Sequence, residues 1–283
     1  MSFLEKIMYV TSFDGTKIYY KKHSCKNPLG NLLLVHGGFQ GNHTRLNNLI
    51  KYLKDSYNII IPDLRGKGDS DFPKGVEKVL LKDYAKDLCE LLKKEKISKI
   101  NVIGTSFGGL VTLKFAEIFD KEINIEKIVL ISSIHRLDRI RRRTKLVAPF
   151  YNSVINLASI LAKPLPEKRR EHIDYSNLDG RLREIKYGVK LIKNNSLKTT
   201  TLRHKMMKAA RTYKLDSKEL KKIDSEILII HGKKDLYFPL RNIAELLNNT
   251  NSEIKIFKKA GHNIFITHAE PVSQMIKEFF LES

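Results

Sequence analysis

Three residues have the types and the sequence settings that nucleophilic acyl chemistry requires. Ser106 is the centre of Gly104-Thr-Ser-Phe-Gly108, a Gly-x-Ser-x-Gly pattern that follows an apolar run and precedes a helical pattern. Asp235 and His262 each follow a later apolar run. A serine can attack a carbonyl carbon when a histidine takes its proton and a carboxylate holds that histidine in the correct tautomer. We therefore predict a triad of Ser106, His262 and Asp235.

The same chemistry needs hydrogen-bond donors for the negative charge of a tetrahedral intermediate. The segment His36-Gly-Gly38-Phe39 follows the first long apolar run, so a loop N–H there can act together with the N–H of Phe107. We expect Gly38 to be the loop donor, with Phe39 as the less favoured choice. His36 is interpreted as a structural turn residue. The reaction requires neither a metal ion nor an organic cofactor.

A largely parallel sheet would bring these distant residues together. Nearly continuous apolar runs are typical of strands that are buried on both faces, and here they alternate with helical patterns. The runs span residues 31–35, 57–61, 100–103, 127–131, 226–230 and 253–257. Asp14-Gly15 predicts a hairpin before them. We predict an α/β fold with a mostly parallel sheet and an N-terminal antiparallel hairpin, in which loops at the carboxyl edge share one crevice.

The alternation stops between residues 133 and 222, where helical patterns occur without a convincing strand. Residues 1–132 and 223–283 are therefore predicted to form the core, and residues 133–222 an inserted helical cap. The insert contains 24 Lys and Arg against 8 Asp and Glu, so it carries +16 of the chain's net charge of +21. The rest of the chain has an ordinary charge balance.

Together, these motifs resemble the α/β-hydrolase fold superfamily. The order of nucleophile, acid and histidine matches, as does the loop from Asp63 to Ser70, which reads Asp-x-Arg-Gly-x-Gly-x-Ser. The resemblance to cap-bearing carboxylesterases and monoacylglycerol-lipase-like members implies cleavage of a carboxylic ester or thioester with an apolar acyl group. Epoxide hydrolases and haloalkane dehalogenases of this fold use an aspartate as nucleophile, so Ser106 disfavours both. Amide hydrolysis, carbon–carbon bond hydrolysis, acyl transfer, peroxidase-type side activity and hydroxynitrile lyase chemistry remain alternatives.

Further alternatives concern individual residues. Asp138 is an alternative to Asp235 as the acid of the triad, because the acid of some members of the superfamily follows the fourth parallel strand. The fold also serves as a non-catalytic small-molecule-binding protein, in which the triad is usually disabled. Asp63 and Arg65 are expected to stabilise their loop through an ion pair or backbone hydrogen bonds. Cys89 is expected to be a small core residue.

The basic cap has two interpretations. Arg141, Arg142 and Arg143 precede an apolar helical stripe that includes Phe150 and Tyr151. One hypothesis is a lid that covers the acyl pocket and meets an anionic lipid surface or an acidic carrier protein that holds the acyl chain. The other is that the stripe packs on the core and the charges are solvated. We expect no nucleic-acid partner, because no recognised binding module accompanies the charge.

The amino-acid composition excludes several other classes of protein. The 283 residues are 42% hydrophobic, which excludes a disordered chain. The two cysteines, Cys25 and Cys89, cannot form a disulfide framework and are too few for a typical zinc site. The first residues lack a signal-peptide pattern, and no run approaches the about 18 apolar residues of a membrane span. We expect a cytoplasmic protein with reduced thiols; the sequence does not predict its oligomeric state.

Overall fold

The computed structural model describes residues 8–38, 41–138 and 197–282. Eight strands in these residues form one sheet. The strands are β1 Met8–Thr11, β2 Lys17–His23, β3 Asn31–Val35, β4 Asn58–Pro62, β5 Lys99–Thr105, β6 Asn124–Ile131, β7 Glu226–Gly232 and β8 Ser252–Phe257. The α-helices are α1 Asn47–Leu53, α2 Leu81–Lys94, α3 Phe107–Phe119, α4 Leu197–Ala210, α5 Ser217–Leu220, α6 Ala244–Leu247, α7 Ile264–Thr267 and α8 Ala269–Leu281.

The strand order is β1-β2-β4-β3-β5-β6-β7-β8. Strands β1 and β2 pair antiparallel, β2 pairs antiparallel with β4, and the pairs from β4 to β8 are parallel. This arrangement confirms the predicted mostly parallel sheet with an N-terminal hairpin. After β3 the chain adds β4 on one side of β3 and then crosses over to add β5 on its other side. The loops that follow β3 and β5 therefore leave neighbouring strands at the point where the direction of winding reverses.

The central strands are buried on both faces because helices cover both sides of the sheet. Leu32 and Leu34 of β3 pack in a core with α1 and α8, and both side chains are fully buried. Leu33 points to the opposite face and is also fully buried. Helices α2 and α3 pack against each other, and α3 also packs against β5 and β6. The continuous apolar runs of the sequence thus correspond to a sheet without a solvated face at its centre.

The predicted elements differ from the observed ones mainly at their ends. Strand β6 begins at Asn124, three residues before the predicted start, because Asn124 and Ile125 already pair with Lys99 and Ile100. A register shift in β5 separates these pairs from the regular ladder that follows. A register shift of this kind cannot be recognised from the pattern of apolar residues in the sequence.

The described residues fall into two units. Those up to Asp138 and from Arg203 onward belong to one compact unit, and residues 197–202 belong to the other. The prediction that residues 133–222 form a cap stays a prediction. Arg141, Arg142, Arg143, Phe150 and Tyr151 lie outside the described residues, as does Phe39. Within the described ranges, no helix is both long and apolar enough to cross a membrane.

Candidate active site

Ser106 occupies a sharp turn between β5 and α3. Its backbone has φ +52° and ψ −120°, which a residue with a side chain rarely adopts. The flanking glycines are required sterically: a Cβ on Gly104 would lie 2.6 Å from Cα of Gly109, and one on Gly108 would lie 2.2 Å from the carbonyl oxygen of Val35. The Ser106 N–H donates to the carbonyl oxygen of Ile131 over 2.9 Å. The turn therefore places the serine at the carboxyl edge of the sheet.

The structure brings together the three residues predicted from the sequence. His262 Nε2 lies 2.9 Å from Ser106 Oγ, and His262 Nδ1 lies 2.7 Å from Asp235 Oδ2. Ser106 and Asp235 are buried, whereas His262 is half-buried. The geometry allows the hydroxyl to donate to Nε2 while the Nδ1–H donates to the carboxylate. This is the proton arrangement that general-base activation of a serine requires.

Backbone hydrogen bonds fix the orientation of the Asp235 carboxylate. Its Oδ1 accepts from the N–H groups of Tyr237 over 2.8 Å and Phe238 over 2.9 Å, which leaves Oδ2 for His262. His231 Nε2 lies 2.7 Å from the Phe238 carbonyl oxygen. Burial lowers the pKa of His231, so its ring is neutral at pH 7 and donates this hydrogen bond. The loop after β7 therefore presents one carboxylate oxygen to the imidazole.

Two aromatic rings pack against the imidazole, and neither belongs to the patterns that identify the site. The ring centroids of Tyr237 and Phe238 lie 5.0 Å and 5.2 Å from that of His262. Both residues thus hold the histidine by packing, in addition to orienting the acid through their backbones. Their only sequence signal is an aromatic pair that follows Asp235 by two and three residues.

Asp138, the alternative acid, has a different partner. It forms two hydrogen bonds of 2.7 Å with Arg136, from Nε to Oδ1 and from Nη2 to Oδ2. Its side chain is 38% exposed, in contrast to the buried carboxylate of Asp235. The geometry therefore favours Asp235 as the partner of His262.

The glycine loop after β3 lies against the serine turn. A Cβ on Gly37 would come within 2.6 Å of Ser106 Cβ and 2.5 Å of the Thr105 carbonyl oxygen. Gly38 follows at φ +80° and accepts a hydrogen bond from Lys67 Nζ over 2.5 Å. The close contact is between Gly37 and Ser106. The two predicted oxyanion donors, Gly38 and Phe107, are the residues that directly follow them in the chain.

His36 is fully buried and uses both ring nitrogens in the loop framework. Its Nε2 accepts from the Leu64 N–H over 3.0 Å, and its Nδ1 lies 3.1 Å from the Gly37 carbonyl oxygen. Burial lowers the pKa of His36 to about 3, so the ring is neutral at pH 7. These contacts support the structural interpretation of this residue.

The loop from Asp63 to Ser70 is held by hydrogen bonds to its first residue. Asp63 accepts from the N–H of His43 over 2.6 Å and from the N–H of Asp69 over 2.8 Å. Arg65 forms ion pairs with Asp87 and Asp14, so the loop contains both kinds of contact that the sequence predicted. Cys89 is buried, as expected for a core residue.

One group of possible metal ligands occurs in the described ranges. His43, Asp63 and Asp69 have ligand atoms within 4.8 Å of one another. Hydrogen bonds from the backbone of His43 and Asp69 already engage both oxygens of Asp63. The loop framework accounts for this group, which includes none of the three triad residues.

Comparisons with known proteins agree with this architecture. Residues 30–269 match the family model described as alpha/beta hydrolase fold. A proline iminopeptidase from Saccharolobus solfataricus is 26% identical, with 94% of this chain and 89% of that protein covered. A putative 2-succinyl-6-hydroxy-2,4-cyclohexadiene-1-carboxylate synthase from Bacillus subtilis is also 26% identical, over 95% of this chain and 97% of that protein.

A solved esterase, EaEST from Exiguobacterium antarcticum, has a similar fold. It superposes with a TM-score of 0.72 at 22% identity and covers 97% of this chain and 99% of its own. The similarity extends over nearly the full length of both proteins, and at this identity it concerns the fold.

Proposed function

Because this chain belongs to the α/β-hydrolase fold family, we propose that it is a serine hydrolase. Its substrate is a carboxylic ester or thioester with an apolar acyl group, cleaved through an acyl-enzyme. The observation that carries this proposal is the continuous contact from Ser106 Oγ through His262 to Asp235, at 2.9 Å and 2.7 Å. Three side chains that are distant in sequence meet there in the order that nucleophilic catalysis needs.

The first half of the reaction acylates the serine. Ser106 Oγ attacks the carbonyl carbon while His262 Nε2 takes the hydroxyl proton, and Asp235 stabilises the imidazolium. The carbonyl oxygen becomes negatively charged, and the N–H groups of Phe107 and Gly38 donate to it. When the intermediate collapses, His262 returns its proton to the departing alcohol or thiol. The acyl group is then esterified to Ser106.

The second half releases the acid. A water molecule gives a proton to His262 Nε2 and attacks the acyl carbon, forming a second tetrahedral intermediate at the same oxyanion donors. Its collapse breaks the bond to Ser106 Oγ, which regains a proton from His262. The products are a carboxylic acid and the free enzyme, so the proposed cycle needs water and no other reagent.

Amide hydrolysis is a second candidate. The relative named proline iminopeptidase spans 94% of this chain at 26% identity, and the same three residues can attack a peptide carbonyl. An ester is cleaved more readily, because an alkoxide or phenoxide is a much less basic leaving group than an amide anion and depends less on protonation by His262. The two candidates differ in whether prolyl anilides are cleaved as well as acyl esters.

A substrate panel with matched serine variants tests the proposal. Hydrolysis is measured with 4-nitrophenyl esters and acyl thioesters of increasing chain length, and with proline 4-nitroanilide. Ser106→Ala should abolish ester cleavage and labelling by a fluorophosphonate. Ser98→Ala is the control, because Ser98 is exposed and directly precedes the amino end of β5, whereas Ser106 follows its carboxyl end. Full activity in Ser106→Ala would overturn the assignment, and cleavage of the anilide alone would favour the peptidase candidate. Ligand binding without any turnover would favour a non-catalytic binding protein.

The basic segment of the insert is proposed to deliver substrate from an anionic lipid surface or an acidic carrier protein. Charge reversal of Arg141, Arg142 and Arg143 should then lower activity on acyl chains presented by anionic vesicles or acyl carrier protein more than on dissolved esters. Equal losses on both kinds of substrate would contradict this proposal and favour the solvated alternative.

A further inference from the structure

A buried lysine lies beside the glycine loop of the candidate active site. Lys67 Nζ donates to the Gly38 carbonyl oxygen over 2.5 Å and lies 4.7 Å from the centroid of the Phe107 ring. Lys67 is only 3% exposed. An ammonium group therefore lies between the two residues that are proposed to donate to the oxyanion.

The backbone of Lys67 is fixed on both sides. Its N–H donates to the Leu64 carbonyl oxygen over 2.9 Å, and its own carbonyl oxygen accepts from the Ser70 N–H over 2.9 Å. The Ser70 hydroxyl in turn donates to the Asp63 carbonyl oxygen over 2.6 Å. These hydrogen bonds hold the backbone from which the Lys67 side chain extends to Gly38.

Two arginines from other elements contact the glycine loop and the loop that carries Lys67, respectively. Arg45 Nη2 donates to Asn263 Oδ1 over 2.9 Å, and its Nη1 lies 2.9 Å from the position that a Cβ would take on Gly38. Arg203 is 8% exposed, and its Nε donates to the Gly66 carbonyl oxygen over 3.1 Å. Arg45, Lys67 and Arg203 are here called the basic cluster: Arg45 and Lys67 lie against Gly38, and Arg203 contacts the backbone next to Lys67.

The charges of Arg203 and Arg45 disfavour the protonated form of Lys67. Burial and the nearby charges of Arg203 and Arg45 lower the pKa of Lys67 to about 7. Burial also lowers the pKa of Arg203, although Asp63 acts in the opposite direction. A negative group placed among them would offset the repulsion and favour the charged ammonium. Ammonium and guanidinium groups bind oxyacid anions through charge-assisted hydrogen bonds.

We propose that the basic cluster binds an anionic oxyacid group, a carboxylate or a phosphate, which the substrate carries near the bond to be cleaved. This inference rests on the proposed serine hydrolase function and adds to its otherwise apolar ester substrates one negatively charged end, on the acyl or the alcohol side of the bond that is cleaved. The anion is present in the ground state and is distinct from the oxyanion that forms during the reaction. It therefore contributes mainly to the choice of substrate.

Matched pairs of charged and neutral esters test the inference. In the carboxylate arm, monomethyl glutarate is compared with dimethyl glutarate and methyl pentanoate. In the phosphate arm, 1-butanoylglycerol 3-phosphate is compared with 1-butanoylglycerol. At constant ionic strength, kcat/KM should be at least tenfold higher for the charged member in one arm, and that arm identifies the anion.

Variants of the cluster assign the preference to its residues. Lys67→Met should reduce the charged-to-neutral ratio to below threefold, whereas Lys67→Arg should retain it. The ratio cancels any loss that comes from moving Gly38, because both members of a pair use the same oxyanion donors. Arg45→Gln provides a second charge removal if Lys67→Met does not fold. Lys205→Met is the control, since Lys205 is exposed on the same helix as Arg203.

The outcomes separate this inference from the function on which it rests. Cleavage of neutral esters without a preference in either arm overturns the basic cluster as a binding site and leaves the hydrolase standing. A preference that persists in Lys67→Met overturns the assignment to Lys67. A binding measurement decides the case in which no ester is cleaved. Glutarate or glycerol 3-phosphate should raise the Tm of the wild type and not of Lys67→Met, and no shift with either anion overturns the inference.

Discussion

Arg65 and Asp87 form a two-bond ion pair in the interior of the protein. Arg65 Nε lies 2.7 Å from Asp87 Oδ2, and Nη2 lies 2.5 Å from Oδ1, with both side chains 1% exposed. Ser12 also donates to Asp87 over 2.5 Å, and Arg65 Nη1 donates to Asp14 over 2.9 Å. The pair therefore joins the N-terminal hairpin, helix α2 and the loop that carries Lys67.

Loss of one partner of this pair should be costly. Asp87→Asn is expected to lower the free energy of unfolding by about 3–5 kcal/mol, because it leaves the guanidinium buried without its main anion. Urea unfolding measures the change. The double variant Arg65→Met/Asp87→Leu should recover much of the loss, since it buries no charge. Glu126→Gln, which breaks the exposed pair with Lys99, should cost about 1 kcal/mol or less. Similar losses for Glu126→Gln and Asp87→Asn would contradict this account.

Replacement of Asp235, the proposed triad acid, should reduce the rate without unfolding the protein. Asp235→Asn keeps the size of the side chain but cannot hold His262 in the tautomer that accepts the serine proton. We expect kcat for an ester substrate to fall about 10³–10⁴-fold. Asp138→Asn is the matched control, because Asp138 is bound to Arg136 and should change kcat by less than about twofold. The reverse ranking of the two variants would make Asp138 the acid.

The serine turn should not tolerate an added methyl group. Gly→Ala within a helix usually stabilises it, but a Cβ at Gly108 would lie 2.2 Å from the Val35 carbonyl oxygen. Gly108→Ala is therefore expected to lower the free energy of unfolding by about 1–3 kcal/mol. It should also lower the rate of ester hydrolysis, because the serine turn would move away from the glycine loop. Thermal unfolding and kcat/KM provide the measurement. Gly30→Ala, with no atom within 4 Å of its added Cβ, should be neutral or stabilising by up to about 1 kcal/mol. A neutral effect at both positions would rule out the steric argument.

The buried His36 should make folding stability depend on pH. Its pKa is about 3 in the folded protein and 6.5 when exposed, so the unfolded chain binds a proton first as pH falls. Its contribution to stability is complete above pH 6.5 and is lost between pH 6.5 and 3, with a slope of at most about 1.4 kcal/mol per pH unit. Urea unfolding at several pH values should show a smaller slope for His36→Gln than for the wild type. His204→Gln, at an exposed position, should keep the full slope, and equal slopes in all three proteins would refute this role of His36.

The sequence identifies the three contacting residues because each belongs to a short pattern that lies at the end of a strand. Ser106 lies within its glycine pattern, and Asp235 and His262 directly follow apolar runs. Parallel topology then brings these three positions to one edge. Their contacts need no information beyond the order of the strands, so local patterns are sufficient.

The basic cluster and the Arg65 pair are a different case. Arg45 and Asn263 are separated by 218 positions, and their hydrogen bond depends on how two loops approach each other. Lys67 lies between two glycines in a loop whose family resemblance is evident, yet only the packed structure shows that its side chain is buried. Burial of a lysine reverses what its residue type suggests. Side-chain partners across loops therefore depend on packing that local sequence patterns do not encode.

The backbone of Ser106 places a limit on how this protein can evolve. Its φ of +52° with ψ of −120° is a conformation that glycine adopts readily and serine does not, at a cost of about 1–3 kcal/mol. Ser106→Gly should thus be more stable than the wild type while lacking the hydroxyl. A population selected only for heat resistance would drift towards glycine at this position. Under the proposed function, the most stable sequence and the active sequence would therefore differ, and selection for the reaction would be needed to keep the serine.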